Sequence, residues 1–529
     1  MSYSLGVREE YSGCEIMVAA AVAVLDVDVL IFGSGFGGSL TGLLARQMGL
    51  RAAIVDRTHH PRFAIGESTT PLANLVLEGL AQRYGLPRLL PLVNYASWKA
   101  AYPQVVCGLK RGFSYFGHRF DEPFRPRSDH QNELLVAASQ GEADADTHWL
   151  RADVDQFLAQ EAVAAGIPLW EDTVLVELHH DTTGWTAVVR HRDEARQVHA
   201  RFVVDATGEG GCLAQRLGLT NAVDSLHTHS RAVFAHFLNV VPWREIYATR
   251  GGRLGDHPFP CDAAALHHVF DGGWMYQLRF DNGITSAGFC LDPRQFPEPS
   301  AQSPDEEFAE LLRRLPAVRE QFAGATPVSH GGRIVRSGRL QRRFAPAAGT
   351  DWALLPHAAG FIDPLHSTGI AQTLFGIERL ACAWEQHWNR STLADAMAEY
   401  NRRLQTELEF IDTLVAGCYR GFGEFPRLAA LTMFYFAAAT WSERCRRAAL
   451  HEAHPFDAAA SRPSRGAWPA YLCADDEALR TALHRCARAV SQAAVSTTEL
   501  MESIASAIAP YNHAGLCDPS RHNMYPHQP

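Results

Sequence analysis

The chain lacks the patterns that would send it to several large classes of protein. Its eleven cysteines stand singly, with no C-x-x-C pair to hold zinc or cycle as a redox dithiol, and 529 residues is far too long for a disulfide-stapled fold. There is no Lys/Arg block, and a formal net charge of −10 opposes binding to nucleic acid, whose phosphates require a basic face. No internal repeat is visible. Two apolar runs stand out. Met17 to Phe32 is interrupted by Asp26 and Asp28, and Leu428 to Trp441 has the length of a buried helix, so no membrane span is expected. What remains is a chain with 47% hydrophobic residues, long enough for two joined domains, with scattered cysteines of the kind kept reduced in a cytoplasmic protein.

The informative pattern lies near the start. Asp26 to Phe32 reads as a buried parallel strand, Gly33-Ser34-Gly35-Phe36-Gly37-Gly38 follows, Ser39 to Gln47 has helical character, and Arg51 to Val55 is a second strand ending at Asp56. In such a βαβ unit Gly33 permits the tight turn, Gly35 lets backbone approach a pyrophosphate, and Gly38 permits close helix packing. Asp56 follows Gly33 by 23 residues, close to the roughly 20-residue distance at which an acid reaches ribose hydroxyls. A plain glycine turn accounts for the glycines alone, but not for their combination with Asp56. These features define a dinucleotide site without choosing between NAD and FAD.

Three further segments choose. Arg62-Phe63-Ala64-Ile65-Gly66-Glu67-Ser68 follows the second strand, Asp205-Ala206-Thr207-Gly208 closes a later apolar strand, and Gly360-Phe361-Ile362-Asp363-Pro364-Leu365-His366-Ser367-Thr368-Gly369-Ile370 follows the strand Trp352 to Leu355. Together they resemble the FAD-dependent halogenases and their monooxygenase relatives, over roughly residues 26 to 375. The resemblance implies an α/β fold: a Rossmann-like FAD-binding domain of the glutathione-reductase type (26–215 and 330–376), an inserted antiparallel β-sheet on the substrate side (216–329), and a helical C-terminal region (377–529), with residues 1–25 as an extension. Turn signals at Gly272-Gly273 and Asn282-Gly283 fit the antiparallel sheet.

The resemblance also assigns residues. Gly33, Gly35, Gly38, Asp56, Glu67, Ser68, Arg151, Gly208, Asp363 and Ile370 would face FAD, and the Ser367 turn would place the backbone of Thr368 and Gly369 as a nest for chloride or bromide. Lys99, in Tyr95-Ala96-Ser97-Trp98-Lys99-Ala100-Ala101, resembles the family's catalytic lysine, with Lys110 as the fallback. His366 stands where tryptophan halogenases have a glutamate, which demotes tryptophan as substrate and favours a free phenol or resorcinol-like ring; a neutral imidazole there would accept a phenol proton or simply line the tunnel. The implied reaction uses O2, halide and FADH2 from a separate flavin reductase, with hypohalous acid relayed to Lys99.

The family's W-x-W-x-I-P stretch is reduced to Trp274-Met275-Tyr276-Gln277-Leu278, and the usual Gly-Asp before the halide loop is Pro356-His357. These departures keep a flavin-dependent aromatic monooxygenase as the second reading and a catalytically inactive flavin-binding module as the third. The pairs His59-His60, His179-His180 and His267-His268 lack helical i,i+4 partners, so no metal site is expected. The arginines 333, 336, 339, 342 and 343 are expected on exposed strand and turn.

Overall fold

The computed structural model describes residues 24–329, 331–452, 470–492 and 494–528. The N-terminal extension before residue 24 and the Ser/Pro-rich segment 461–469 lie outside the described residues.

Strand β1 (Val24–Phe32) is nearly continuous in β-branched and apolar residues, as a strand covered on both faces must be, and Val29, Leu30 and Ile31 are fully buried. The loop leads into α1 (Phe36–Gln47), and the chain returns as β2 (Ala52–Val55), parallel to β1. Beyond it come α2 (Pro71–Arg83) and α3 (Tyr95–Ala101), the latter capped by the Asn94 side chain. Then follow β3 (Cys107–Lys110), β4 (Gly112–Gly117), β5 (Glu133–Ala137), β6 (Asp146–Trp149) and α4 (Arg151–Ala164). Strands β7 (Leu169–Trp170), β8 (Thr173–Asp181), β9 (Gly184–His191) and β10 (Glu194–Asp205) complete the first sheet, ordered β7-β2-β1-β10-β9-β8, with the strand Trp352–Leu354 parallel to β10. The glycine loop and the Asp205 turn therefore emerge side by side at the carboxyl edge of this sheet, where ligands of open α/β sheets bind.

The second sheet is built on the antiparallel strands β11 (Arg231–Leu238), β12 (Ala265–Phe270), β13 (Gly273–Arg279) and β14 (Thr285–Leu291). It also takes β4 and β5 from within residues 26–215, with β4 parallel to β12, so this sheet is not confined to the 216–329 segment. The helices Thr368–His387, Leu393–Gly421 and Phe425–Glu452 pack behind both sheets; the apolar run 428–441 lies in the last of them, with every residue from Leu428 to Ala438 buried. The C-terminal region is not helical throughout. Met524–Tyr525 forms a short strand parallel to β5 and extends the second sheet.

Candidate active site: a nucleotide cradle and an aromatic-lined cavity

At the cradle, Gly33 adopts φ +101°, and a Cβ there would lie 2.6 Å from the Ala206 carbonyl oxygen. A Cβ on Gly38 would fall 1.9 Å from the Gly33 carbonyl oxygen, so this glycine is required for α1 to meet the strand end. Gly35 caps α1 in an extended conformation with no side-chain cap, leaving first-turn backbone to face a ligand; a Cβ there would meet nothing nearer than Asp155 at 3.4 Å and Arg151 at 3.5 Å. A pyrophosphate fits this cradle of helix N-terminus and small residues.

Asp56 is buried and fully engaged. It accepts from Ser34 N (2.7 Å), Ser34 Oγ (2.8 Å) and Thr58 N (3.0 Å), and pairs with Arg62 at 2.7 Å. Burial pushes its carboxyl up, but Arg62 and these hydrogen bonds outweigh that and hold it at about 2. Glu67 is buried and accepts from His236 Nε2 at 2.8 Å, while the neighbouring Ser68 hydroxyl has no protein partner. Arg151 grips Asp155 with two nitrogens (2.9 and 2.8 Å) and donates to the carbonyls of Ile65 and Gly66. It thereby ties the Gly66-Glu67 turn to α4, a bracing role that sequence position alone does not reveal. His357, where the family has aspartate, is enclosed between Gly37, Gly208 and the first turns of the helix Thr368–His387, touching Ala206 O (3.2 Å) and Thr373 Oγ1 (3.3 Å). Burial draws its imidazole down to about 4, so a neutral ring replaces the carboxylate.

The 360–370 loop closes against the second sheet. Asp363 accepts from Ser230 Oγ (2.7 Å), Tyr419 Oη (2.9 Å) and Leu365 N (3.1 Å); burial raises its carboxyl to about 6 against the pull of these donors. Ser367 takes a left-handed conformation (φ 52°) immediately before the helix Thr368–His387, which has no side-chain cap. A left-handed residue followed by helical backbone is the geometry of an anion nest, here formed by Ser367, Thr368 and Gly369. Ile370 is buried behind it. His366 is fully buried, stacked on Tyr435 (4.7 Å between centres, 11°), with Nδ1 3.4 Å from Tyr115 Oη and Nε2 3.7 Å from Cys418 Sγ. Burial draws it down to about 3, so it is neutral.

Tyr435 forms the far side of a cavity of ≈810 Å³ walled by Thr70, which caps α2, Asn74 of α2, Phe113, Asp146, Tyr435 and Tyr525. The lysine beside this cavity is Lys110. Fully buried at the end of β3, it donates from Nζ to the Thr69 carbonyl, lies 4.0 Å over the centre of the Phe113 ring, and is the cross-strand partner of Asp146. Burial lowers its ammonium from the ordinary lysine value, and Asp146 offsets part of that. Neither Lys110 nor Lys99 is among the residues that line the cavity; Lys110 lies behind Phe113 and Asp146, which do. Lys99 Nζ pairs with Asp281 at 2.8 Å on a side chain that is 35% exposed, because α3 turns Trp98 into the core and leaves Lys99 at the rim. Lys99, the lysine expected to meet the substrate, thus lies at the rim, and Lys110, the fallback, is the buried one of the two. These two are the chain's only lysines, against 46 arginines.

Other expectations change in detail. Arg333 is exposed as expected, whereas Arg336, Arg339, Arg342 and Arg343 are half-buried: Arg336 shares the buried Glu307 with Arg231 (2.6 and 2.5 Å), and Arg342 donates to the His357 carbonyl. Trp274 stacks on His267 (5.1 Å), which stacks on Tyr115 (4.1 Å), leaving an unbroken aromatic wall where the family motif is eroded. Among the described residues no helix is long and apolar enough to cross a membrane.

Comparisons with known proteins agree with this architecture. A family model described as tryptophan halogenase matches residues 142–421. Monodechloroaminopyrrolnitrin halogenase PrnC of Pseudomonas fluorescens is 32% identical over 405 residues, covering 75% of this chain and 68% of its own. Tetracycline 7-halogenase of Kitasatospora aureofaciens is 31% identical over 417 residues, covering 75% and 71%. Among solved structures, halogenase PltM in complex with phloroglucinol and FAD superposes with a TM-score of 0.83 at 25% identity, covering 94% of this chain and 99% of that one. The chain belongs to the tryptophan halogenase family of flavin-dependent halogenases: it is an FAD-dependent oxidoreductase that uses halide and O2.

Proposed function

We propose that this enzyme halogenates a free, electron-rich phenol through Lys110. The observation that carries the reading is Lys110 itself, a buried lysine beside the cavity, held by Thr69 and the Phe113 ring. The similarity to PltM, whose structure holds phloroglucinol, supports a phenolic substrate, and the aromatic wall of Phe113 and Tyr435 suits a flat ring.

FAD, when bound and reduced, supplies with O2 and halide the oxidised halogen as hypohalous acid. The protein's own residues do the rest. The cradle of Gly33, Gly35 and Gly38 receives the pyrophosphate, and the Ser367-Thr368-Gly369 nest holds chloride or bromide by backbone N–H groups. Lys110, its ammonium weakened by burial, offers a fraction of free amine; that lone pair takes the halogen from hypohalous acid, forming N–X and releasing water. The ring's π electrons then form C–X, the N–X pair returns to nitrogen, and the ring proton leaves to the restored amine. The buried wall of Trp274, His267 and Tyr115 excludes water from this transfer, and neutral His366 stacks behind Tyr435 to hold the ring slot.

A single dinucleotide-type glycine loop in the sequence supports delivery of the reduced FAD by a separate flavin reductase. All ten described cysteines are free, in keeping with a cytoplasmic setting.

The test is mass spectrometry with phloroglucinol, FAD, a flavin reductase, NADH and chloride or bromide. Lys110→Ala should lose product by about 10²-fold or more while FAD still binds, and Lys99→Ala should halogenate normally. Full activity in Lys110→Ala would overturn the assignment. Halide-independent gain of one oxygen would select the monooxygenase reading, motivated by the eroded Trp274-Met275-Tyr276 motif.

A further inference from the structure

We propose that Asp146 and Asn74 form the recognition point for the substrate's ring hydroxyl, and that Asp146 sets which aromatics the enzyme accepts. This rests on the reading of Lys110 as the residue that delivers the halogen. Asp146 is 2% exposed and Asn74 8%, and both line the cavity. Asn74 Nδ2 donates to Asp146 Oδ1 at 2.7 Å, which locks the two side chains together. Their remaining oxygens, Asp146 Oδ2 and Asn74 Oδ1, are buried and have no partner in the protein. Asn74 Oδ1 is an acceptor only, and Asp146 Oδ2 is one when its carboxyl is ionised; burial raises that carboxyl to about 7, with Lys110 opposing the rise. Buried acceptors without a partner are uncommon, and two of them fixed side by side in a cavity wall call for a ligand that brings donors.

A phenol supplies the donor in the most useful form. A hydroxyl donating to a carboxylate gains phenolate character and enriches its ortho and para carbons in electron density. Asp146 and Lys110 are directly opposed across the β3–β6 pair, and opposed residues carry their Cβ atoms about 4.5–5.5 Å apart. A ring anchored by its hydroxyl on Asp146 therefore presents the adjacent, ortho carbon toward Lys110 and keeps the para carbon away. A second hydroxyl, meta to the first, reaches Asn74 Oδ1. The substrate class is thus an aromatic ring with one or two free hydroxyls, halogenated ortho to the one that binds.

The probe pair is phloroglucinol and 1,3,5-trimethoxybenzene, rings of comparable activation that differ in carrying a donor. FAD-loaded wild type should prefer phloroglucinol by about 10²-fold or more in kcat/KM, as a site built around a hydrogen bond to a hydroxyl rejects the analogue without it. Asp146→Asn and Asn74→Ala should each reduce that preference at least tenfold through KM, and isothermal titration should show phloroglucinol binding weakened to match. FAD stoichiometry checks that the variants are folded. Retention of the full preference and affinity in both variants overturns the proposal. If wild type binds phloroglucinol through Asp146 but halogenates neither compound, the Lys110 reading fails and the recognition point stands.

Discussion

At the scale of single residues, Asp56 shows how a strand-end acid is tuned. Its carboxyl sits at about 2, below the ordinary aspartate value of 3.8, so it is a depressed acid. Its stabilising contribution is complete above pH 4 and disappears as pH falls through 3.8 toward 2. That depression corresponds to about 2 kcal/mol. Asp56→Asn should therefore lower the stability of the FAD-free protein by about that amount at pH 7 and by much less near pH 2.5, measured as chemical denaturation at the two pH values; an equal loss at both would show that the charge is not responsible. Asp56 was legible in the sequence because its partners Ser34, Thr58 and Arg62 lie within one βαβ unit. Lys110 was harder to place. Both lysines sit among aromatics in the linear sequence, and only the pairing of β3 with β6, which brings Asp146 opposite Lys110, separates a buried lysine from the rim lysine paired to Asp281. That distinction is made by tertiary contacts that no local window contains.

At the scale of elements, the β1–loop–α1 unit separates two uses of glycine. Gly38→Ala places a Cβ 1.9 Å from the Gly33 carbonyl, so α1 must move away from the strand; the expected outcome is loss of several kcal/mol and of FAD binding together. Gly35→Ala meets only side chains at ordinary contact distance and has φ −61°, so the FAD-free protein should keep its melting temperature within a few degrees while FAD affinity falls, read by flavin fluorescence. Equal melting temperatures for the two variants would refute the division. The long C-terminal helices were readable from their apolar periodicity, and the antiparallel hairpins from Gly272 and Gly283, because each signal spans many residues or a defined turn. The recruitment of β4 and β5 into the second sheet was not, since the parallel pairing of β4 with β12 joins residues about 150 positions apart.

At the scale of the whole molecule, residues 523–528 return to the cavity beside β4 and β6. Met524 and Tyr525 pair in parallel with Leu135 and Val136, Asn523 accepts from Leu135 N (2.9 Å) and donates to the His130 carbonyl (3.0 Å), and residues 525–528 line the cavity. A two-residue strand is too short for any periodicity, which is why the sequence pointed to helix throughout this region. On the proposed reading of this cavity, substrate binding depends on residues 523–528, whereas the nucleotide cradle draws on residues before 376. Deleting residues 523–529 should consequently leave FAD binding intact and raise KM for phloroglucinol about tenfold, with kcat less affected. Removing two buried side chains should also cost about 3–6 kcal/mol of stability as an upper bound, so the kinetics belong at 15 °C, with the flavin absorbance spectrum as the check on folding. An unchanged KM in a protein that retains its flavin would mean that the Tyr525 wall does not contact the substrate and that the ring is held entirely by α2, β4 and β6.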